Sequence, residues 1–251
     1  MNIIWFSEIR WNYLKTRKQH LLSRFPVTDK ILFIQPTSFS NNNNDSISNG
    51  NIICKTIPVY KRGSKFIDLI FSLLIVRKLY YCITFIYFKI LVYINLKSKI
   101  DIVCISNLYY IPFAKHISDK LVWDFNDDPE QFGLIPNWAL ILYNNVLSDR
   151  STFIISCSVG LNKYIYRKFN NKPITISNGV EISKFNKKKF TEKHKDKFIL
   201  GYIGIISNWF FDFNLVELIA YKFPEIEIHI YGPKDKNAIN KIKRLKNIDN
   251  I

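Results

Sequence analysis

Short apolar, β-branched runs recur along the chain. Between them lie longer stretches in which apolar positions return every three or four residues. The runs Ile3–Ser7, Ile31–Gln35, Ile52–Val59, Asp101–Ser106, Lys120–Asp124, Thr152–Ser158 and Ile174–Ser177 read as strands. They are almost continuously apolar rather than alternating, which marks strands covered on both faces and hence a parallel sheet. Lys15–Phe25, Ile135–Ser148 and Val159–Phe169 carry helical spacing. Strands alternating with helices predict a doubly wound α/β domain with right-handed crossovers. Pro36 closes the second strand, and the Ser/Asn-rich tract from Thr37 to Asn51 reads as a flexible loop.

The pattern then restarts. Lys197–Ile203 and Glu225–Tyr231 read as strands, and Phe213–Phe223 and Lys236–Leu245 as helices, with a turn at Gly232-Pro233. This predicts an N-terminal Rossmann-like domain over 1–183, a lysine-rich linker over 184–196 and a second Rossmann-like domain over 197–251. Two strands and the start of a third do not close a sheet covered on both faces, so the second domain is expected to be incomplete.

Phe66–Leu96 is largely apolar but is interrupted by Asp68, Arg77, Lys78 and Lys89. No charge-free window reaches the ~20 residues that a spanning helix needs. Two readings stay open for it: core helices, or helices lying on a bilayer with basic residues at the headgroups.

Composition adjusts this picture modestly. Hydrophobic residues make up 48% of the 251-residue chain, enough for a sizeable core. The formal net charge of +16 favours contact with polyanions, although the lysines are scattered rather than striped. No helix-turn-helix, zinc-finger or RNP signature accompanies the charge, which argues against nucleic acid as a partner. The four cysteines show neither CxxC nor metal-like spacing. Reduced thiols and a cytoplasmic setting are expected, and MNIIWFSEIRW lacks the features of a signal peptide.

At Gly201–Phe211 (GYIGIISNWFF) a strand ends in glycines just before a helix, an arrangement that brings backbone N–H groups close to an anion. It matches neither the full dinucleotide fingerprint nor a P-loop. ISCSVGLNKYIYRKFNNKPITISNGVEISKF, followed by LGYIGIISNWFFDFNLVELIAYKFPEIEIHIYGP, resembles the domain junction of family 4 GT-B glycosyltransferases. Ser177 stands where that family has proline and Glu181 where it has aspartate, with Phe185 at the matching place. IRWNYLKTRKQHLLSRF and LVWDFNDDPEQF resemble the W-x-x-x-x-Q-R-P-Q-H and Y-D-x-x-D-D segments of the subgroup related to teichuronic acid biosynthesis. In the first of these, Trp11, Arg17, Gln19 and His20 match, while Thr16 and Lys18 depart.

The resemblance implies a hexosyltransferase, retaining by family analogy and working without a metal. It would move sugar from a nucleotide-sugar donor to a lipid-linked or polysaccharide acceptor in cell-surface glycan assembly. Arg17 would face the interdomain cleft, where its fork suits a phosphate. His20 is open between helix packing and catalysis. Asp127, with Asp124 and Asp128, would hold the acceptor hydroxyl or take its proton, although Asp127-Asp128-Pro129 is equally a turn and capping sequence. Asn178 and Gly179 would turn the chain into the linker, and Gly201 and Gly204 would admit the donor diphosphate. The family's E-x7-E-like donor segment has no counterpart, so the chain alone is expected to be inactive or to need a partner carrying the remainder. A non-catalytic sugar- or nucleotide-binding protein is the alternative from another class. Contact with an anionic membrane is expected to be peripheral.

Overall fold

A computed structural model of the chain describes residues 1–12, 15–37, 47–48, 50–60, 65–118, 121–132, 135–184 and 198–251. The chain forms two compact units, Met1–Val180 and Glu181–Ile251. The lysine-rich linker falls almost wholly outside the described residues.

In the first unit the elements run β1 (Asn2–Phe6), α1 (Arg17–Leu22), β2 (Lys30–Pro36), β3 (Ile47–Ser48), β4 (Ile52–Ile57), α2 (Lys65–Ser72), α3 (Leu74–Leu96), β5 (Ile102–Ile105), α4 (Ile111–Ala114), β6 (Leu121–Phe125), α5 (Asn137–Ser148), β7 (Phe153–Ser156), α6 (Val159–Phe169) and β8 (Ile174–Thr175). They build an eight-stranded sheet ordered β3-β4-β2-β1-β5-β6-β7-β8. Every pairing is parallel except that of the two-residue β3 with β4.

The central strand shows why the apolar runs are continuous. Ile4 and Phe6 of β1 point into one core with Leu32, Val103 and Phe125. Ile3 and Trp5 point into the core on the opposite face with Ile31, Phe33 and Cys104. Phe6 anchors the larger core, its ring 5.4 Å from Phe88 and 5.0 Å from Tyr110. Helix ends follow local chemistry. Ser158 caps α6 by accepting from the Leu161 amide at 3.2 Å, and Asn170, at φ 51°, ends it in the left-handed region. The apolar stretch 66–96 forms two helices broken at Leu73, and α3 runs 23 residues until Lys97 turns left-handed at φ 54°.

The second unit holds β9 (Ile199–Ile203), α7 (Phe213–Lys222), β10 (Glu227–Tyr231) and α8 (Ile239–Leu245). The two strands pair in parallel over a small core that includes Phe211, Phe213, Ile228 and Leu245. Gly232 sits at φ 155°, and a Cβ there would lie 1.7 Å from the Gly204 carbonyl oxygen. No residue other than glycine fits that close approach.

Phe6→Ala removes the ring on which three aromatic neighbours converge, so it is expected to destabilise the first unit by about 3–5 kcal/mol in urea unfolding followed by circular dichroism.

Candidate functional site

From β1 the chain winds outward through β2 and β4, then crosses back to place β5 on the other side of β1. The strand order reverses between β1 and β5. In open α/β sheets ligands collect outside the carboxyl ends of the strands at such a point. A cavity of about 340 Å³ lies there. Glu8 follows β1, Pro36 ends β2, Tyr60 follows β4, Asn107 and Tyr109 follow β5, and Trp123, Asp124, Asn126 and Asp127 come from the end of β6 and just beyond it. Aromatic walls thus enclose a polar floor.

Two floor residues carry buried acceptor oxygens, Asp124 Oδ2 and Asn126 Oδ1, that have no hydrogen-bond partner. A buried acceptor without a donor costs about 1–3 kcal/mol. A ligand with several hydroxyl groups would satisfy both.

Beside this cavity the loop after β1 is fixed by its own side chains. The Thr16 amide and hydroxyl both donate to Gln19 Oε1, at 3.0 and 2.7 Å, while Gln19 Nε2 donates to the Trp11 carbonyl at 3.1 Å. Trp11 stands edge-on to Phe33 at 5.0 Å, and its amide donates to Gln35 Oε1 at 3.0 Å. This delivers Arg17 into the interior. Its Nε donates to Asp124 Oδ1 at 3.0 Å, and its Nη1 donates to the Ile176 carbonyl and, at 3.3 Å, to Asn178 Oδ1. Arg17 and Asp124 side chains are 3% and 0% exposed, so the pair is essentially dry. Burial pushes the Asp124 carboxyl upward, and Arg17 pulls it back toward ionisation. The neighbouring Lys18 is also buried and pairs with Glu8 at the cavity mouth.

The three aspartates therefore stand in different surroundings. Asp124 is committed to Arg17. Asp128 is buried, accepts from the Tyr143 hydroxyl at 3.1 Å and from the Tyr164 hydroxyl, and caps the Glu130 amide at 3.1 Å. Asp127 lines the cavity and is open to solvent on one side. Partial desolvation and then the charge of Glu8 raise its pKa, with Lys18 opposing.

His20 lies with Lys15, Arg17, Arg24, Ser177, Asn178 and Gly179 around a second pocket of about 390 Å³. Its carbonyl accepts from Arg24 at 2.7 Å. Thus Arg17, His20, Asn178 and Gly179 meet at one edge, and Arg17 joins them to Asp124. Gly201 lies in β9 and Gly204 just after it, both in the other unit. A Cβ at Gly201 would meet open space, whereas one at Gly204 would lie 2.7 Å from the Tyr202 hydroxyl. Sequence reasoning missed Glu8, Tyr60, Asn107, Tyr109 and Asn126. Each follows a strand end, and that position was the available signal.

Arg17→Ala leaves a buried carboxylate unpaired and is expected to cost about 3–5 kcal/mol in urea unfolding. Adding Asp124→Ala to Arg17→Ala removes that stranded charge, so the double variant is expected to be more stable than Arg17→Ala alone.

No protein-family model and no curated protein matches the chain. Solved structures do. HepE of Anabaena in complex with UDP aligns with a TM-score of 0.63 at 13% identity, over 98% of this chain and 65% of that one. HepE in complex with UDP and glucose gives 0.52 at 14% identity, over 98% and 64%. An E. coli structure described as trehalose-6-phosphate bound with UDP-2-fluoro glucose gives 0.58 at 11% identity, over 98% and 69%. The chain thus spans about two-thirds of the length of these neighbours. The likeness shows the fold, which is α/β, GT-B-like and built from Rossmann-like units.

Proposed function

We propose that the protein is a nucleotide-sugar-dependent glycosyltransferase whose acceptor binds in the cavity at the carboxyl ends of β1, β5 and β6. The observation that carries this reading is the pair of unpartnered buried acceptors, Asp124 Oδ2 and Asn126 Oδ1, beneath the aromatic walls of Tyr60, Tyr109 and Trp123. Saccharides suit such a site, because their hydroxyls supply donors and their apolar faces lie against rings. The fold shared with HepE, solved in complex with UDP and glucose, supports a nucleotide sugar as donor.

Asp127 is the proposed catalytic residue. As a carboxylate it accepts the hydrogen bond of the acceptor hydroxyl. It takes the proton as the new C–O bond forms and the bond to the nucleoside diphosphate breaks. In this reading Asp124 meets the acceptor through Oδ2 while Arg17 holds its Oδ1, and Asp128 is a positioning residue through Tyr143 and Tyr164. Gly201 and Gly204 of the second unit are assigned to the donor diphosphate, and Arg17, His20, Asn178 and Gly179 of the first unit to substrate binding. Transfer without a metal, a lipid-linked or polysaccharide acceptor of the cell envelope and a cytoplasmic setting complete the proposal.

The test is transfer of labelled sugar from nucleotide sugars to saccharide and lipid-linked acceptors, by the chain supplied with a partner that carries an E-x7-E-like donor segment. Asp127→Asn is expected to lower transfer by about 10²–10⁴-fold while leaving nucleotide affinity unchanged. Saturable nucleotide binding without turnover would instead favour a non-catalytic binding protein. Loss of the proposal altogether would follow from no affinity for any nucleotide sugar.

The pH profile gives a second test. Asp127 must be ionised to act, and its pKa is raised above the ordinary carboxylate value of 3.8. Activity is therefore expected to rise with pH through a limb lying above that value, and Asp127→Asn should abolish the limb.

A further inference from the structure

The helix α3 is apolar on the side that faces away from the sheet. Inwardly, Thr84, Phe88 and Leu96 are buried in the domain core. The Arg77 guanidinium lies 4.8 Å over the Trp138 ring, and the Tyr81 hydroxyl donates to the Tyr109 carbonyl at 3.3 Å. These contacts fix the helix along the domain surface, so it cannot cross a bilayer without leaving its core, although it is long and apolar enough to do so by composition. On the opposite side Ile75, Leu79, Ile83, Ile86, Ile90 and Ile94 recur at helical spacing, and every one of them is more than half exposed. At about 100° per residue they form one stripe. No charged residue interrupts it, and α2 also exposes Phe66 and Leu69, at 69% and 67%. Contiguous exposed apolar surface of this kind marks an interaction site, unlike scattered single residues.

The charges select the occupant. α3 contains no acidic residue. Its exposed Lys78 and Lys89 fall on one margin of the stripe, and the exposed Lys97 and Lys99 follow its end. Asp68 of α2 is engaged with the Tyr60 hydroxyl. Tyr87 and Tyr93 are exposed at the two margins of the stripe, where an amphipathic ring sits well at headgroup depth. A second copy on this face would bring like charges together in chains that each carry +16. An anionic bilayer takes both the apolar stripe and its basic margin.

We propose that the α2–α3 face is a docking surface for an anionic lipid bilayer, with α3 lying in the plane of the headgroups. The same two helices brace the acceptor cavity: Asp68 of α2 holds Tyr60, and Tyr81 of α3 holds the Tyr109 carbonyl. A docked protein thereby keeps that cavity on an element seated in the lipid surface. Docking requires no sugar transfer, and it stands or falls separately from the transferase reading.

The test uses the full chain with phosphatidylcholine vesicles, with and without roughly one-third phosphatidylglycerol, in a co-sedimentation assay. Binding is expected to the anionic vesicles and to fall in high salt. Ile83→Glu with Ile86→Glu, both at exposed positions, should weaken it by at least about ten-fold. Lys78→Gln and Lys89→Gln should each weaken it about five-fold. Cys82 is exposed on α3, whereas Cys54 and Cys104 are buried. In a Cys157→Ser background, a polarity-sensitive fluorophore on Cys82 should shift to the blue on vesicle addition. Any one of three results overturns the proposal: no vesicle binding, binding indifferent to the glutamates, or an unmoved Cys82 signal. A dimer in light scattering that Ile83→Glu dissolves would assign the face to a second copy and overturn it equally.

Discussion

The dry ion pair between Arg17 and Asp124 is the constraint on which the functional edge of the first unit depends. Taking two charges out of water is expensive, and only good geometry with further hydrogen bonds offsets the cost. Arg17 meets it in part by reaching three parts of the chain at once, Asp124 at the end of β6, the Ile176 carbonyl and Asn178 beyond β8, while its Nη2 and Asp124 Oδ2 stay buried without a partner. The loop after β1 is consequently a tie across the sheet. The capping interactions of Thr16 and Gln19 gain their importance from this, since they set the angle at which Arg17 enters.

That tie also separates the roles of neighbouring carboxylates. Asp124 is held by a guanidinium, Asp128 by two phenols and a backbone amide, and Asp127 by neither. Three acidic residues within five positions of one strand end therefore stand in three different surroundings. Asp127 is the cavity aspartate open to solvent, and partial desolvation with the nearby Glu8 raises its pKa. Chemistry at this edge rests on the rigidity of what lies behind it.

The strands were legible in the sequence because each is buried on both faces, so apolar residues run on without alternation. Ile3–Phe6 is the clearest case, with successive side chains entering opposite cores. The aspartates and the Arg17 loop were legible as motifs, but their partners were not, since Arg17 meets Asp124 across 107 residues and Ile176 across 159. The short α4 and the walls Tyr60 and Tyr109 come from connections that carry no periodicity. The exposure of α3 was equally hidden. Hydropathy reports how apolar a helix is and says nothing of what covers it. Arg77 and Lys78 are adjacent in sequence, yet Arg77 lies inward over Trp138 while Lys78 is exposed.

The central place of β1 has a consequence for how the chain reaches this structure. Its neighbours are β2 on one side and β5 on the other. A chain growing from its N-terminus can seat β2 early, but the second edge of β1 stays open until Ile102–Ile105 has been made. Closing it joins segments about a hundred residues apart, a slow event in loop-closure terms. During that interval Trp5 and Phe6 flank an unpaired strand edge, the kind of surface on which nascent chains associate. The Arg17 tie waits longer still, for Ile176, so the functional edge is among the last parts of the unit to be assembled.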